Sequence, residues 1–388
     1  MPTPDHHEGV YAYYFYRLIQ RAERIDMLYC SHSDEKTTGE KSRYIHQLNY
    51  ESPYPIRHIN FGVDIASATS KNIKIEKRGR TQEKLLEYIS EENPSLMSPA
   101  ALAPYITCPL KFYFASIAKL KSTEELSEEV DNPMFGNILH NAMQILYKTI
   151  EGVANPAEDL KRMLKGDTIE KAVDEAISRN FLKGNATTQE EYTGSLILVK
   201  NMVIKYICQG VIPYDIKHNN FAVMHREEKI TMQHDIGDGR KVLLGGYADR
   251  IDSLNDGTIR VVDYKTGKSH LEFNGIDSLF EGKNRAQFSN LTQTMLYSMV
   301  LKHNFSRNVV PELYFVRYMQ NEDYNPRLID KAAEDSEVDY NSYAEEFEQT
   351  INNKLQELFN LNIPFEQCPE EESKEICAMC DFKTLCKR

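Results

Sequence analysis

The sequence predicts a mixed α/β (α+β) fold whose core runs helix, three strands, helix, strand, enlarged by a large helical insertion. Two observations carry this. From Ser98 to about Gly210 apolar residues recur three and four apart, the period of a helix face. After Gly210 the period falls to two, and Gly- and Asp-rich turns divide the chain into strands. The length of 388 residues, at roughly 150 per domain, suggests two or three domains. The longest apolar runs are short and rich in Tyr, below the ~18 residues of a membrane-spanning helix, so no membrane span is expected. The N-terminal residues lack the basic start and apolar core of a signal peptide, which points to the cytoplasm. A net charge of -12, from 46 Lys+Arg against 58 Asp+Glu, excludes a chain that coats nucleic acid by bulk charge; any such contact must be local.

Taken in order, the Tyr-rich stretch 10–22 predicts a helix that feeds a strand over 25–30, and 42–50 reads as helix again. Residues 51–80 form a connector with some strand character. Ser98 then caps a helix, with Pro99 in its first turn. Helices are predicted over 135–150, 155–165, 168–181 and 188–209. Strands follow over 221–233, 241–254 and 258–264, and the turns Gly237-Asp238-Gly239 and Asn255-Asp256-Gly257 make them consecutive antiparallel hairpins. An amphipathic helix over 285–303 and a strand over 310–318 complete the core.

Chemistry gathers on these strands. Asp263 and Lys265 in Val261-Val262-Asp263-Tyr264-Lys265 are two apart and share one face. By itself that pair describes a solvated strand end. The preceding arm, Gly245-Gly246-Tyr247-Ala248-Asp249-Arg250-Ile251-Asp252, brings Asp249 onto the neighbouring strand, and two converging carboxylates repel unless a hard cation such as Mg²⁺ lies between them. Lys265 would then hold or polarise an attacking water. His140, in Phe135-Gly136-Asn137-Ile138-Leu139-His140, falls beside the apolar stripe of its helix and reads as a packing histidine or a metal ligand. Gln293 and Tyr297, four apart beside the core stripe of the later helix, read as a polar shoulder.

Together these motifs resemble the RecB-like branch of the PD-(D/E)xK nucleases, across about residues 96–388. The resemblance implies a restriction-endonuclease-like core in which His140, Asp249 and Asp263 bind Mg²⁺ or Mn²⁺, Lys265 is catalytic, and Gln293 and Tyr297 support the site and its DNA. It also bears on the seven cysteines, an odd number with irregular spacing that does not suit a secreted disulfide framework. Cys377, Cys380 and Cys386 form a tight trio and Cys108 lies far upstream; four thiolates suit a [4Fe-4S] cluster or a structural Zn²⁺, and spacing does not choose. AddB-type helicase-nuclease subunits place one Cys before the nuclease core and three after it around a [4Fe-4S] cluster, so the resemblance implies iron-sulfur here, as a staple. Cys368 is a possible substitute ligand, while Cys30 and Cys208 read as buried thiols.

Residues 8–50 are similar to the last motif of superfamily 1 helicases, with Gln20 where Thr is usual. No Walker phosphate loop is present in the chain. The expected organisation is thus a helicase-like remnant with its connector over 1–80 and a nuclease domain over 81–388. The latter comprises a helical part over 99–210, a catalytic sheet over 221–318, and a C-terminal helix with the cysteine trio over 339–388. The expected function is metal-dependent cleavage of DNA, single-stranded or at duplex ends, in double-strand-break repair. The partner would be a helicase domain in the same full-length chain or in a partner subunit. The alternative is a non-catalytic module that grips DNA or docks a helicase.

Overall fold

The computed structural model describes residues 4–29, 40–59, 72–120, 131–180, 194–268 and 270–388. The chain divides into two compact units, Met1–Ala68 and Thr69–Arg388.

The first unit holds helices α1 (Pro4–Ile19) and α2 (Arg43–Glu51). Ser42 caps α2, its hydroxyl accepting the Tyr44 N–H at 3.3 Å, and Phe15 stacks on Tyr44 with ring centroids 4.5 Å apart. The predicted strand over 25–30 is corrected: residues 25–29 are exposed and form no strand, and Cys30 lies outside the described residues. An apolar run that finds no ladder partner leaves its backbone groups to water.

The second unit opens with β1 (Lys74–Ile75), α3 (Arg80–Leu86), α4 (Pro99–Thr107) and the short α5 (Pro109–Phe112). As predicted, Ser98 caps α4, its hydroxyl accepting the Ala101 N–H at 3.2 Å. The helical layer follows: α6 (Asn132–Lys148), α7 (Ala157–Lys165), α8 (Thr168–Asn180), α9 (Gly194–Tyr206) and α10 (Ile212–Lys217). Then come the strands β2 (Phe221–Asp235), β3 (Lys241–Leu254), β4 (Ile259–Lys265) and β5 (Glu272–Phe273), helix α11 (Ser289–Phe305) and strand β6 (Val309–Phe315). The chain closes through β7 (Ile329–Asp330), β8 (Ser336–Glu337), α12 (Tyr340–Phe359), β9 (Phe365–Glu366), α13 (Ser373–Ile376) and α14 (Lys383–Cys386).

The central sheet has the order β2-β3-β4-β6. The two hairpins are antiparallel, and β6 returns parallel to β4 after the α11 crossover. Both β4 and β6 are buried almost end to end, as a strand covered on both faces must be. One face packs on α4, α11 and α12, and the other on the helical layer, so each face has its own apolar core.

Gly210 does not stop the helix as the change of period suggested. The chain passes through it in a π turn, Ile207–Val211, and continues to Lys217. A β carbon there would lie 3.1 Å from Met319 Cβ and 3.4 Å from the Val316 carbonyl, so a larger residue would have to push the chain after β6 back by a few tenths of an ångström. The run Gly194–Lys217 is long and apolar enough by composition to cross a membrane. Here it lines the second core through Val203, Ile207, Val211 and Ile212, and it carries the buried Asp215.

Candidate active site and cysteine cavity

The β3–β4 ladder runs from the Ser253–Ile259 pair to the Arg250–Val262 pair and stops. Just beyond, the Asp249 carboxylate accepts the Tyr264 N–H at 2.8 Å, taking the place of the next ladder bond. On α6 the buried stripe Ile138, Leu139, Ala142, Met143, Leu146 and Tyr147 fixes the rotation of the helix and turns His140 toward this point. Its Nδ1 lies 3.2 Å from Asp249 Oδ2.

On β4, Asp263 is buried and Lys265 half-buried, with Nζ 2.7 Å from Asp263 Oδ2. The same Nζ donates to Gln293 Oε1 at 3.2 Å, and Gln293 Nε2 donates to Tyr297 Oη at 3.3 Å. The polar shoulder of α11 therefore faces the end of β4. One carboxylate went unforeseen: Glu227 on β2, whose Oε1 is 4.0 Å from His140 Nδ1. Ligand atoms of His140, Glu227 and Asp249 all lie within 4.8 Å of one another, close enough to hold one metal ion. The pairs Arg226–Arg250 and Glu228–Ala248 flank it, so Glu227 stands across from Asp249, with a left-handed backbone at φ 50°. The signal in the sequence was a Glu-Glu pair in mid-strand, where a half-buried strand has little use for two charges.

Charge concentrates here. Burial raises the Asp263 carboxyl to about 6, with Asp249 adding to the rise and Lys265 opposing it. Burial and Asp249 also push Glu227 up. For His140, burial favours the neutral ring, but Asp249, with Asp263 behind it, outweighs burial and raises the imidazole to about 9. For Lys265, burial is likewise outweighed by Asp263, and the ammonium is held above its usual range. Such a set of acids suits a hard divalent cation, because a cation relieves the repulsion that burial amplifies.

The cysteines form a second cluster. Cys108 follows α4, and β1 pairs with β9 so that the segment after β9 returns beside it. Arg285 ties these parts together, donating from Nε to the Ile106 carbonyl at 2.8 Å and from Nη1 to Glu372 at 2.6 Å. Cys108, Cys368, Cys377, Cys380 and Cys386 line one cavity with Lys111 and Lys383. Cys368, outside the trio spacing, has its Sγ 3.7 Å from that of Cys377. A hydrogen bond from Cys368 brings the Cys108 thiol down to about 6. Cys208 is half-buried elsewhere. Near Cys108, Phe112 is fully buried, with its centroid 5.8 Å from Phe365, and the half-buried Phe114 packs 5.2 Å from Phe382.

Curated relatives match about half to three-fifths of the chain. The B-type subunit of an ATP-dependent helicase/deoxyribonuclease from Alkaliphilus metalliredigens is 22% identical over 221 residues, covering 52% of this chain and 19% of that protein. Its counterpart in Carboxydothermus hydrogenoformans is 28% identical over 250 residues, covering 61% of this chain and 21% of the relative. That of Streptococcus uberis is 22% identical over 234 residues, covering 60% and 19%. The chain thus spans about a fifth of the length of the curated relatives it matches. The profile of the PD-(D/E)XK nuclease superfamily matches residues 96–387, which takes in the helical layer, the sheet, the carboxylate cluster and the cysteine cavity, and the chain belongs to that superfamily.

Proposed function

We propose that this chain hydrolyses DNA phosphodiester bonds with Mg²⁺ or Mn²⁺, as the nuclease region of a helicase–deoxyribonuclease in the cytoplasm. The observation that carries the reading is the convergence of His140, Glu227 and Asp249 beside the buried Asp263–Lys265 pair, where the β3–β4 ladder ends. His140, Asp249 and Asp263 would hold the cation; the ligand atoms that lie within 4.8 Å of one another are those of His140, Asp249 and Glu227, so Glu227 would join the set while Asp263 faces Lys265. When bound, the cation would acidify a water and neutralise phosphate charge. Lys265, oriented by Gln293 and supported by Tyr297, presents an ammonium to the phosphate or to the attacking water. The relatives' names supply a helicase-linked deoxyribonuclease as context. Single-stranded ends are the proposed substrate, since an unwinding motor produces them, and repair of broken DNA is the proposed process.

The decisive assay compares the parent with Lys265→Ala on end-labelled single-stranded and duplex DNA with Mn²⁺. Loss of a positioned charge at the reacting centre should cost about 100- to 1,000-fold. Equal cleavage by both proteins, or none by either, would favour a module that only grips DNA.

For the cysteine cavity the proposal is a [4Fe-4S] cluster on Cys108, Cys377, Cys380 and Cys386. Four sulfurs around one Zn²⁺ at ~2.3 Å would sit ~3.8 Å apart. Cys377 has a sulfur neighbour at that separation in Cys368, 3.7 Å away, so the choice of iron-sulfur over zinc rests on the resemblance to AddB-type subunits and not on sulfur spacing. The role of the cluster would be to join the two ends of the second unit.

A further inference from the structure

Asp215 carries no site chemistry, yet its carboxylate joins elements that all bear or border site residues. It lies on α10, in the helical layer, and is fully buried. Its Oδ2 accepts Arg250 Nη1 at 2.7 Å and Tyr147 Oη at 2.5 Å. Its Oδ1 accepts Tyr314 Oη at 2.9 Å and Arg250 Nη2 at 3.3 Å. Arg250 Nη1 reaches in turn to Tyr264 Oη at 2.8 Å.

These partners lie next to the site in the chain. Tyr147 is on α6, two turns beyond His140 and on the same helix face. Arg250 follows Asp249 on β3. Tyr264 separates Asp263 from Lys265, gives its own N–H to Asp249, and pairs in register with Tyr314. We infer that Asp215 is a positioning residue for the metal centre: one buried charge that sets the distance between His140 on α6 and the acidic pair on β3 and β4.

The chemistry of the carboxylate explains why it would hold that distance. An ionised carboxylate has about four acceptor sites, and here four donors fill them. Withdrawing α6 from the sheet would strip a donor from a buried anion, which is costly where no water can replace it. The three residues that supply these donors are stiff: two are tyrosines with only two side-chain torsions, and the third carries a planar guanidinium that gives two of the four bonds. Arg250 is itself fixed from its other edge, its Nε donating to Asp252 Oδ2 at 3.1 Å, and Arg260 holds that same oxygen at 2.7 Å. A change at Asp215 is thus transmitted to the 3.2 Å approach of His140 and Asp249 rather than absorbed by a loose side chain.

This inference rests on the metal reading of the site, and the experiment separates the two. Mn²⁺ binding by calorimetry, kcat and KM on single-stranded DNA, and thermal melting are measured on the 388-residue chain, for the parent, Asp215→Asn, Tyr147→Phe and the double variant that combines them. Tyr147→Phe keeps the ring and loses one donor, so it decides the matter if Asp215→Asn does not fold. Expected is a Mn²⁺ affinity weakened about 10- to 100-fold, in the range of groups that orient metal ligands. kcat should fall with little change in KM, and the double variant should be no worse than Asp215→Asn alone. Variants that melt earlier but bind Mn²⁺ as the parent does would overturn the positioning role and leave the metal reading standing. A parent that binds no Mn²⁺ would overturn both.

Discussion

At Gly246 the backbone of β3 runs so close to α11 that an added β carbon would lie 2.9 Å from Tyr297 Oη and 3.3 Å from Pro99 Cδ. Tyr297 steadies Gln293, and Gln293 orients Lys265, so this glycine acts on the site through two side chains. Gly246→Ala should fold with a loss of about 1–3 kcal/mol, as overpacked cores do, and should cleave DNA more slowly. Removing the hydroxyl as well, in Gly246→Ala with Tyr297→Phe, should recover part of the melting temperature, since ring Cε1 would still lie 3.0 Å from the added carbon, but not the rate; recovery of neither would place the strain elsewhere. His140 makes a second prediction at this scale. Its imidazole titrates at about 9 without metal, so at neutral pH it is protonated and must shed the proton to become a ligand. Mn²⁺ affinity should therefore rise with pH up to about 9 and then level off. Calorimetry in buffers of different ionisation enthalpy should register the released proton, and His140→Gln should abolish that release. The motifs named His140, Asp249, Asp263 and Lys265, but Glu227 escaped because its partner is reached across a strand pair and not along the chain.

Among elements, the segment through α4 and α5 and the segment from β9 to α14 are far apart in sequence and meet at the cysteine cavity. The meeting is built by short contacts. β1 pairs with β9, Arg285 bridges Ile106 and Glu372, and Lys77 donates to the carbonyls of Leu358 at 2.6 Å and Asn360 at 3.1 Å, closing the end of α12. Metal ligation would add to these contacts rather than replace them. Protein purified without oxygen should contain iron and acid-labile sulfide, and Cys108→Ser should lose both. The same change should open the segment after α12 to limited proteolysis while the β2–β6 sheet stays intact. Zinc in place of iron would refute the cluster assignment. A trio with a distant fourth cysteine could be read from spacing, whereas the fifth thiol, Cys368, enters the cavity because β9 delivers it there.

Across the second unit, the helical layer and the sheet are locked by alternating charges that run from the buried Asp215, Arg250, Asp252, Arg260 and Glu312 to the half-buried Arg327. The three acids and three arginines balance, so this network carries charge without net charge. Burial opposes ionisation of Asp215, but Arg250 and Arg260 outweigh it and hold the carboxyl below its ordinary value. With the folded pKa depressed, its stabilisation is complete above the unfolded value of about 3.9 and is lost as pH falls through the folded one. Asp215→Asn should therefore destabilise by about 3–5 kcal/mol near neutrality, since it strands the Arg250 charge. The gap to the parent should narrow only below about pH 4. Denaturation followed against pH would show this, and a gap independent of pH would mean that Asp215 is not charged in the folded protein.

The sequence by itself determined the order of helices and strands, the turns, the cap at Ser98, and the residues of the nuclease motifs, because hydrophobic period, capping and short spacings are local properties of a chain. Only the tertiary structure decided that Glu227 joins His140 and Asp249, that Cys368 enters the cysteine cavity, that Gly210 continues a helix, and that residues 25–29 form no strand. Each of these depends on what another part of the chain places within a few ångströms, and no single stretch of sequence encodes that distance.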